Sequence, residues 1–272
     1  MLRLFKRPQP RAAKFLQGRV GYAVGDIHGC ADLLEDMLAL LEQRAGAECR
    51  DAGPPIVVFL GDYVDRGPDS AGVLDLLLSG RPHGFERRFL RGNHERSMMA
   101  FLREPYLNRG WLLQGGAETL LSYGLRPPSP VGATEDQLGT VAKLLHDRMP
   151  CAHHEFLAGL ERYVCLGDYA FVHAGVDASR PLDQQTDQDL YWSRAAFIAS
   201  KRRFSHRIVH GHTPSDAPYV DERRIGVDTG AYASGLLTTA RFEDENVSFG
   251  AVARRERPSS RARAEAELVD WG

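Results

Sequence analysis

Five short polar stretches of this sequence concentrate side chains that can bind metal and move protons. They are Gly25-Asp26-Ile27-His28-Gly29, Gly61-Asp62-Tyr63-Val64-Asp65-Arg66-Gly67, Arg91-Gly92-Asn93-His94-Glu95, His173-Ala174-Gly175 and His210-Gly211-His212-Thr213. Carboxylate, amide and imidazole donors without a thiolate suit a hard or borderline divalent cation such as Mn, Fe, Co or Zn. Asp26 and His28 flank a single residue, so in an extended loop both point to the same side and can grip one ion. Asp26, His28, Asp62, Asn93, His173 and His212 are too many donors for one tetrahedral ion, and they fit two ions that share a carboxylate. Such a pair of dications attracts phosphate, acidifies a water between the metals and holds phosphoryl oxygens for in-line attack. Arg66, next to Asp65, adds a bidentate guanidinium grip on phosphate. His94, next to Asn93, is placed to protonate a leaving oxygen, with Asp65 to orient its ring and raise its pKa.

These loops need a scaffold that brings them together. Each follows at once on a short apolar run, at 22–24, 56–60, 88–90, 169–172 and 207–209, as buried strands do. Helical spacing follows the first three, over 31–45, 70–79 and 95–103. Strand, polar loop and helix in repetition predict an α/β fold whose loops gather along the carboxyl edge of a sheet. Later segments turn strand-rich (163–173, 219–228, 235–241, 246–252) and predict a second, more antiparallel sheet. Residues 106–160 read mostly helical around Arg126-Pro127-Pro128-Ser129-Pro130, as a cap inserted between the third and fourth core strands. Taken singly, each loop has a bland explanation: Asp26 can cap a helix, and buried histidines are often satisfied core residues. Five of them, all directly after strands, point to one site. His210 is left open as a supporting group or a phosphate contact. His83, His146, His153, His154 and His206 lie in helical or loop contexts and read as structural or exposed.

The bulk numbers limit the alternatives. A chain of 272 residues, 43% hydrophobic and 26% charged, is one large domain or two small ones, not a disordered, collagenous or coiled-coil chain. With 34 basic and 36 acidic residues the net charge is -2, which excludes a nucleic-acid-binding polycation. Residues 1–25 hold six Lys or Arg and no acid, so the rest carries -2 minus +6, or -8. Residues 1–18 therefore read as a basic, solvated arm, with Leu4 and Phe5 only weak support for a lipid or RNA contact, and 254–272 as a tail, helical near its close. Cys30, Cys49, Cys151 and Cys165 are scattered, so no disulfide framework is expected. With no apolar run of membrane-spanning length and no secretory signal, the expected compartment is the cytoplasm.

In this order the five motifs resemble the phosphoprotein phosphatase family of binuclear metallophosphoesterases, over about residues 19–250. Trp111-Leu112-Leu113 with Gly115-Gly116, Tyr191-Trp192 with Arg194, His212-Thr213-Pro214 and Val227-Asp228-Thr229-Gly230-Ala231 are similar to its compact bacterial and bacteriophage serine/threonine phosphatases. The resemblance implies a four-layered α/β/β/α sandwich of two mixed sheets, spanning 19–253 as one calcineurin-like domain with the helical cap insertion. It implies Asp26 and His28 on one metal, Asp62 bridging, and Asn93, His173 and His212 on the other. His94 is then the acid, Asp65 its partner, and Arg66 and Arg194 phosphate ligands. The implied cofactors are two divalent ions, manganese first, with Fe, Zn, Co or Ni as alternatives. The implied reaction is direct attack of a hydroxide held between them on phosphoserine or phosphothreonine of a protein, with phosphotyrosine as a further substrate. No phosphoenzyme forms, because no activated Ser, Cys or Asp nucleophile accompanies the motifs. No nucleic-acid or obligate protein partner is expected. Symmetrical dinucleoside tetraphosphatases share part of this pattern, but they usually carry Ala in place of Asp65 and Asp in place of Glu95. Hydrolysis of dinucleoside polyphosphates is therefore the alternative, and a non-catalytic phosphate-sensing scaffold the reading from another class.

Overall fold

The computed structural model describes residues 12–254 and the backbone of Val269–Asp270. The first half of the chain runs β1 (Val20–Val24), α1 (Ala31–Glu48), β2 (Ile56–Phe59), α2 (Ser70–Leu78), β3 (Glu86–Phe89) and α3 (Asn93–Arg103). A 3-10 turn at Arg109–Gln114, α4 (Gly116–Ser122), α5 (Glu135–Arg148) and α6 (Cys151–Gly159) follow. The second half runs β4 (Tyr163–Leu166), β5 (Tyr169–Val172), α7 (Asp187–Trp192), α8 (Ala195–Ala199), β6 (Arg207–His210), β7 (Tyr219–Val220) and β8 (Arg224–Gly226). It closes with α9 (Ala231–Ser234), β9 (Leu236–Glu243), β10 (Asn246–Ala253) and β11 (Val269–Asp270).

The strands make a six-stranded sheet, β11-β10-β9-β1-β2-β3, and a five-stranded sheet, β4-β5-β6-β8-β7, both mixed. Strand alternation sorts the side chains into layers. Val57 and Phe59 of β2 face the helical layer of α1 and α2, whereas Ile56 and Val58 face the other sheet. Tyr169 and Phe171 of β5 point back into that inter-sheet core, while Ala170 and Val172 meet Leu190, Tyr191 and Phe197 from α7 and α8. The result is the α/β/β/α sandwich. β1 and β2 are buried on both faces, which is why they read as unbroken apolar runs.

Three expectations are corrected. The 235–252 hairpin does not join the second sheet: β9 pairs antiparallel with β1 in the first, filling the edge that β2 leaves open. The five motif loops leave two sheets, three from β1, β2 and β3 and two from β5 and β6, so they meet across the sandwich. The arm is not solvated throughout. Residues 1–11 lie outside the described residues, but Phe15 is buried, stacked on Phe242 at 5.8 Å, and closes one end of the inter-sheet core. Of the 254–272 segment, Val269–Asp270 is strand, not helix, because it pairs with the free edge of β10. The rest of it beyond Arg254 lies outside the described residues.

Residues 106–160 do not stand apart from the first sheet. Trp111, Leu120, Leu138, Leu145 and Leu157 share one apolar cluster with Leu33, Leu74 and Phe101 of α1, α2 and α3. Among the described residues no helix is long and apolar enough to cross a membrane.

Candidate metal centre

The loops carry unusual backbone. His28 (φ 45°), Asp62 (52°), Asp65 (75°), Arg66 (68°) and His212 (61°) all adopt positive φ, and the only other described non-glycine residue to do so is Asp244 in the β9–β10 turn. A left-handed L-residue costs about 1–3 kcal/mol and persists only where its surroundings enforce it. Here the backbone N–H groups of Ile27 and His28 donate to the Asp62 carbonyl at 3.1 and 2.8 Å, locking the first loop to the second. The Glu95 carboxylate accepts from Gly92, Asp62, Tyr63 and Val64 at 2.8, 3.0, 2.7 and 3.3 Å, locking the second to the third. Gly92 and Gly211 are required by close approach: a Cβ on either would overlap a carboxylate oxygen, of Asp62 and of Asp26 respectively.

This frame brings all six sequence-predicted ligands together, buried. His28 Nδ1–H donates to the Val64 carbonyl at 2.9 Å, so the bare Nε2 faces Asp62 Oδ2 at 3.4 Å. His173 repeats the arrangement, with Nδ1–H on the Leu60 carbonyl at 2.9 Å and Nε2 3.0 Å from Asn93 Oδ1 and 3.4 Å from Asp62 Oδ1. A backbone carbonyl that fixes the tautomer is the usual support for a metal-binding imidazole. Lone pairs then face lone pairs around Asp62, an arrangement a cation between them reconciles. Ligand atoms of His28, Asp62 and His94 lie within 4.8 Å of one another, as do those of Asp62, His173 and His212, so two candidate sites share Asp62. Asp26 belongs to neither triplet; both its oxygens accept from the His212 N–H, at 3.1 and 3.0 Å.

The electrostatics fit cations as well. Burial pushes His28 down to about 3 and His212 to about 2, and lowers His173 too, so all three are neutral and able to bind metal. Burial lifts Asp26 well above the carboxylate range, helped by the nearby charges of Asp228 and Asp62. Asp228 is likewise raised to about 6, first by burial. Burial opposes ionisation of Asp62 as well, and only positive charge around it, on protonated imidazoles with His173 first, holds it below the ordinary range; with neutral imidazoles a cation must supply that charge. Three converging carboxylates with neutral imidazoles are a donor set that positive ions complete.

Beside this set stands a proton-handling pair. His94 Nδ1 contacts Asp65 Oδ2 at 2.8 Å. Burial lowers the affinity of His94 for its proton, but the carboxylates of Asp62 and Asp65 outweigh it and the net shift is upward. Arg66, Asn93, His94, Arg194 and His212 share a cleft of about 980 Å³ whose other walls include Leu113, Glu118, Gln188, Trp192 and Tyr232. Arg66 lies over the Tyr232 ring at 4.9 Å, and Arg194 donates through Nε to His212 Nε2 at 2.9 Å. His210 is not in the cleft. Its Nδ1 contacts the Gly211 carbonyl at 3.0 Å and its Nε2 the Arg224 guanidinium at 3.1 Å, so it supports the loop. Of the histidines set aside, His153 is buried between Tyr123 and Asp75.

Sequence reasoning missed the roles of Glu95, Asp228, Trp111 and Thr119. Glu95 and Asp228 stand inside quoted motifs, so a signal existed. Trp111 does too, but nothing in the sequence says that its indole N–H reaches Asp65, at 2.8 Å. Thr119 is one hydroxyl in a helix and has no sequence signal.

Comparisons with known proteins place the chain in a family. A family model described as calcineurin-like phosphoesterase matches residues 22–246. The chain is 30% identical over 247 residues to bis(5'-nucleosyl)-tetraphosphatase PrpE (asymmetrical) of Bacillus velezensis, covering 83% of this chain and 90% of that protein. It is 31% identical over 228 residues to serine/threonine-protein phosphatase 1 of Salmonella typhimurium, covering 82% of this chain and 91% of that one. Its fold superposes on a cold-active protein-tyrosine phosphatase of a psychrophile Shewanella species with a TM-score of 0.57 at 16% identity, over 86% of this chain and 78% of the other. The chain belongs to the calcineurin-like phosphoesterases.

Proposed function

We propose that this metallophosphoesterase hydrolyses phosphoserine and phosphothreonine in proteins, with phosphotyrosine as a further substrate. Asp26, His28 and Asp62 would hold one divalent ion and Asp62, Asn93, His173 and His212 the other, manganese first among the candidates. When bound, the ions supply positive charge to the phosphoryl oxygens and lower the pKa of the attacking water. Arg66 and Arg194 hold the equatorial oxygens by charge-assisted hydrogen bonds. His94 gives its proton to the leaving oxygen while Asp65 keeps the ring in place.

The observation that carries this reading is the 2.8 Å pairing of His94 with Asp65 at the wall of the cleft. A serine or threonine alkoxide is a poor leaving group and needs a proton as the P–O bond breaks. A nucleotide leaving as a phosphate, whose second pKa is about 6, needs none at neutral pH. A buried, carboxylate-oriented acid is therefore fitted to alkyl phosphates.

The second reading, hydrolysis of dinucleoside polyphosphates, is favoured by the similarity to the Bacillus velezensis tetraphosphatase and by the size of the cleft, with Trp192 and Tyr232 in its walls. Manganese-loaded enzyme assayed side by side on phosphopeptides and diadenosine tetraphosphate separates the two. We expect higher kcat/KM on the peptides; a strong preference for the dinucleotide overturns the first reading. Failure to turn over either, or p-nitrophenyl phosphate, would leave the scaffold.

A further inference from the structure

Asp65 is held more completely than orienting a histidine requires. Its carboxylate receives three donors: Thr119 Oγ1 on Oδ1 at 2.6 Å, and Trp111 Nε1 and His94 Nδ1 on Oδ2, each at 2.8 Å. Its own N–H is shared between Ser70 Oγ at 2.9 Å and Thr119 Oγ1 at 3.0 Å, and the Ser70 hydroxyl meets Thr119 at 2.9 Å. One hydroxyl, that of Thr119, thus holds both the backbone and the carboxylate of a residue whose φ is +75°. Trp111 packs against Phe101 with ring centroids 4.7 Å apart, so its N–H comes from a fixed ring. Asp65, Thr119 and Ser70 are fully buried and Trp111 nearly so, which leaves no water to replace a lost donor. The same segment also holds the next residue, since the Gly115 carbonyl accepts from Arg66 N–H at 3.1 Å.

We infer that Thr119 and Trp111 are positioning residues of the proton-transfer step: they fix the rotation of the Asp65 carboxylate, and through Oδ2 the aim of His94 at the leaving oxygen. Without them the carboxylate can turn about Cβ–Cγ, and the imidazole follows it. Proton transfer demands hydrogen-bond reach and alignment, and this is where a small rotation costs most. The segment reaches the cleft on its other side through Leu113, Gln114 and Glu118, so the structure that aims the acid also faces the substrate.

This rests on the reading of His94 as the general acid, and leaving-group dependence tests both. Thr119→Val and Trp111→Phe are compared with wild type on phenyl phosphate, a poor leaving group, and on 2,4-dinitrophenyl phosphate, which departs without a proton. We expect kcat on phenyl phosphate to fall about tenfold or more, and on the dinitrophenyl ester by less than about twofold. Metal content should be unchanged, and Thr119→Ser should restore the wild-type ratio. An equal loss on both esters would show that the two residues only support the fold and would overturn the inference; Trp111→Phe, which keeps the ring, carries the test if Thr119→Val does not fold. His94→Asn measured on the same pair must show the split itself. If it loses both esters equally, the acid assignment fails, whatever the two positioning variants do.

Discussion

Asn93 and His94 are neighbours in sequence with different tasks. Asn93 presents its amide oxygen to His173 across the sandwich, while His94 turns to Asp65. His94→Asn is therefore expected to lower kcat on a phosphopeptide by about 10²–10⁴-fold, the usual worth of a general acid, with metal content near wild type. Collapse of metal content in elemental analysis would mean that His94 is a ligand, as its closeness to His28 and Asp62 allows. Asp62 lies in both donor triplets and in the middle of four histidines. Asp62→Asn should accordingly weaken both sites together; titration showing one tight site retained would rule out the shared carboxylate.

At the scale of elements, the loops are held by buried hydrogen bonds between them more than by their own composition. Glu95, on the first turn of α3, binds the backbone of the β2 loop with both carboxylate oxygens. Glu95→Gln keeps the shape but turns an NH₂ toward backbone donors, leaving buried groups unpaired. The expected cost is about 1–3 kcal/mol in urea unfolding, and an unchanged midpoint would show that the loops are held by other means. The β7–β8 turn gives a pH-dependent case. Burial opposes ionisation of Asp221, but the N–H groups of Arg223 and Arg224, with the Arg223 guanidinium and the Tyr219 hydroxyl, bring it down to about 2. Because the folded value lies below the unfolded one, about 3.9, this carboxylate stabilises the fold fully above that pH and loses its contribution as pH falls through about 2. The Tm gap between wild type and Asp221→Asn should therefore be constant from neutral pH to about pH 5 and narrow below about 4. A gap that widens in acid would reverse the assignment.

For the whole molecule, the site lies at the junction of the two sheets, with Asp26, His28, Asp62 and Asn93 from one and His173 and His212 from the other. Cations bound there would tie the halves of the sandwich together and offset the repulsion among Asp26, Asp62 and Asp228. Chelation should abolish turnover and also lower stability. A ligand present at a hundredfold its Kd adds about 2.7 kcal/mol, so Tm should drop by roughly 5–10 °C in excess EDTA and recover with Mn. Lost activity at unchanged Tm would mean that the ions do not bridge the sheets.

The sequence by itself determined the candidate donor types, the strand–loop–helix rhythm, and from these the α/β class and the family. Those features are local: a metal donor is a side-chain type, and a strand buried on both faces is an apolar run. It also led to the Asp65–His94 pair, because both residues stand inside recognisable loops. Only the tertiary structure decided that the 235–252 hairpin belongs with β1, that Phe15 of the basic arm is core, and that five loops from two sheets bring their donor atoms into one cluster. Such outcomes depend on which edges remain unpaired once the other strands are placed, and no local window contains that information. Thr119 is the clearest instance. Its hydroxyl meets Asp65, 54 positions earlier, only because α4 packs where it does, so its role became visible only when the chain had folded.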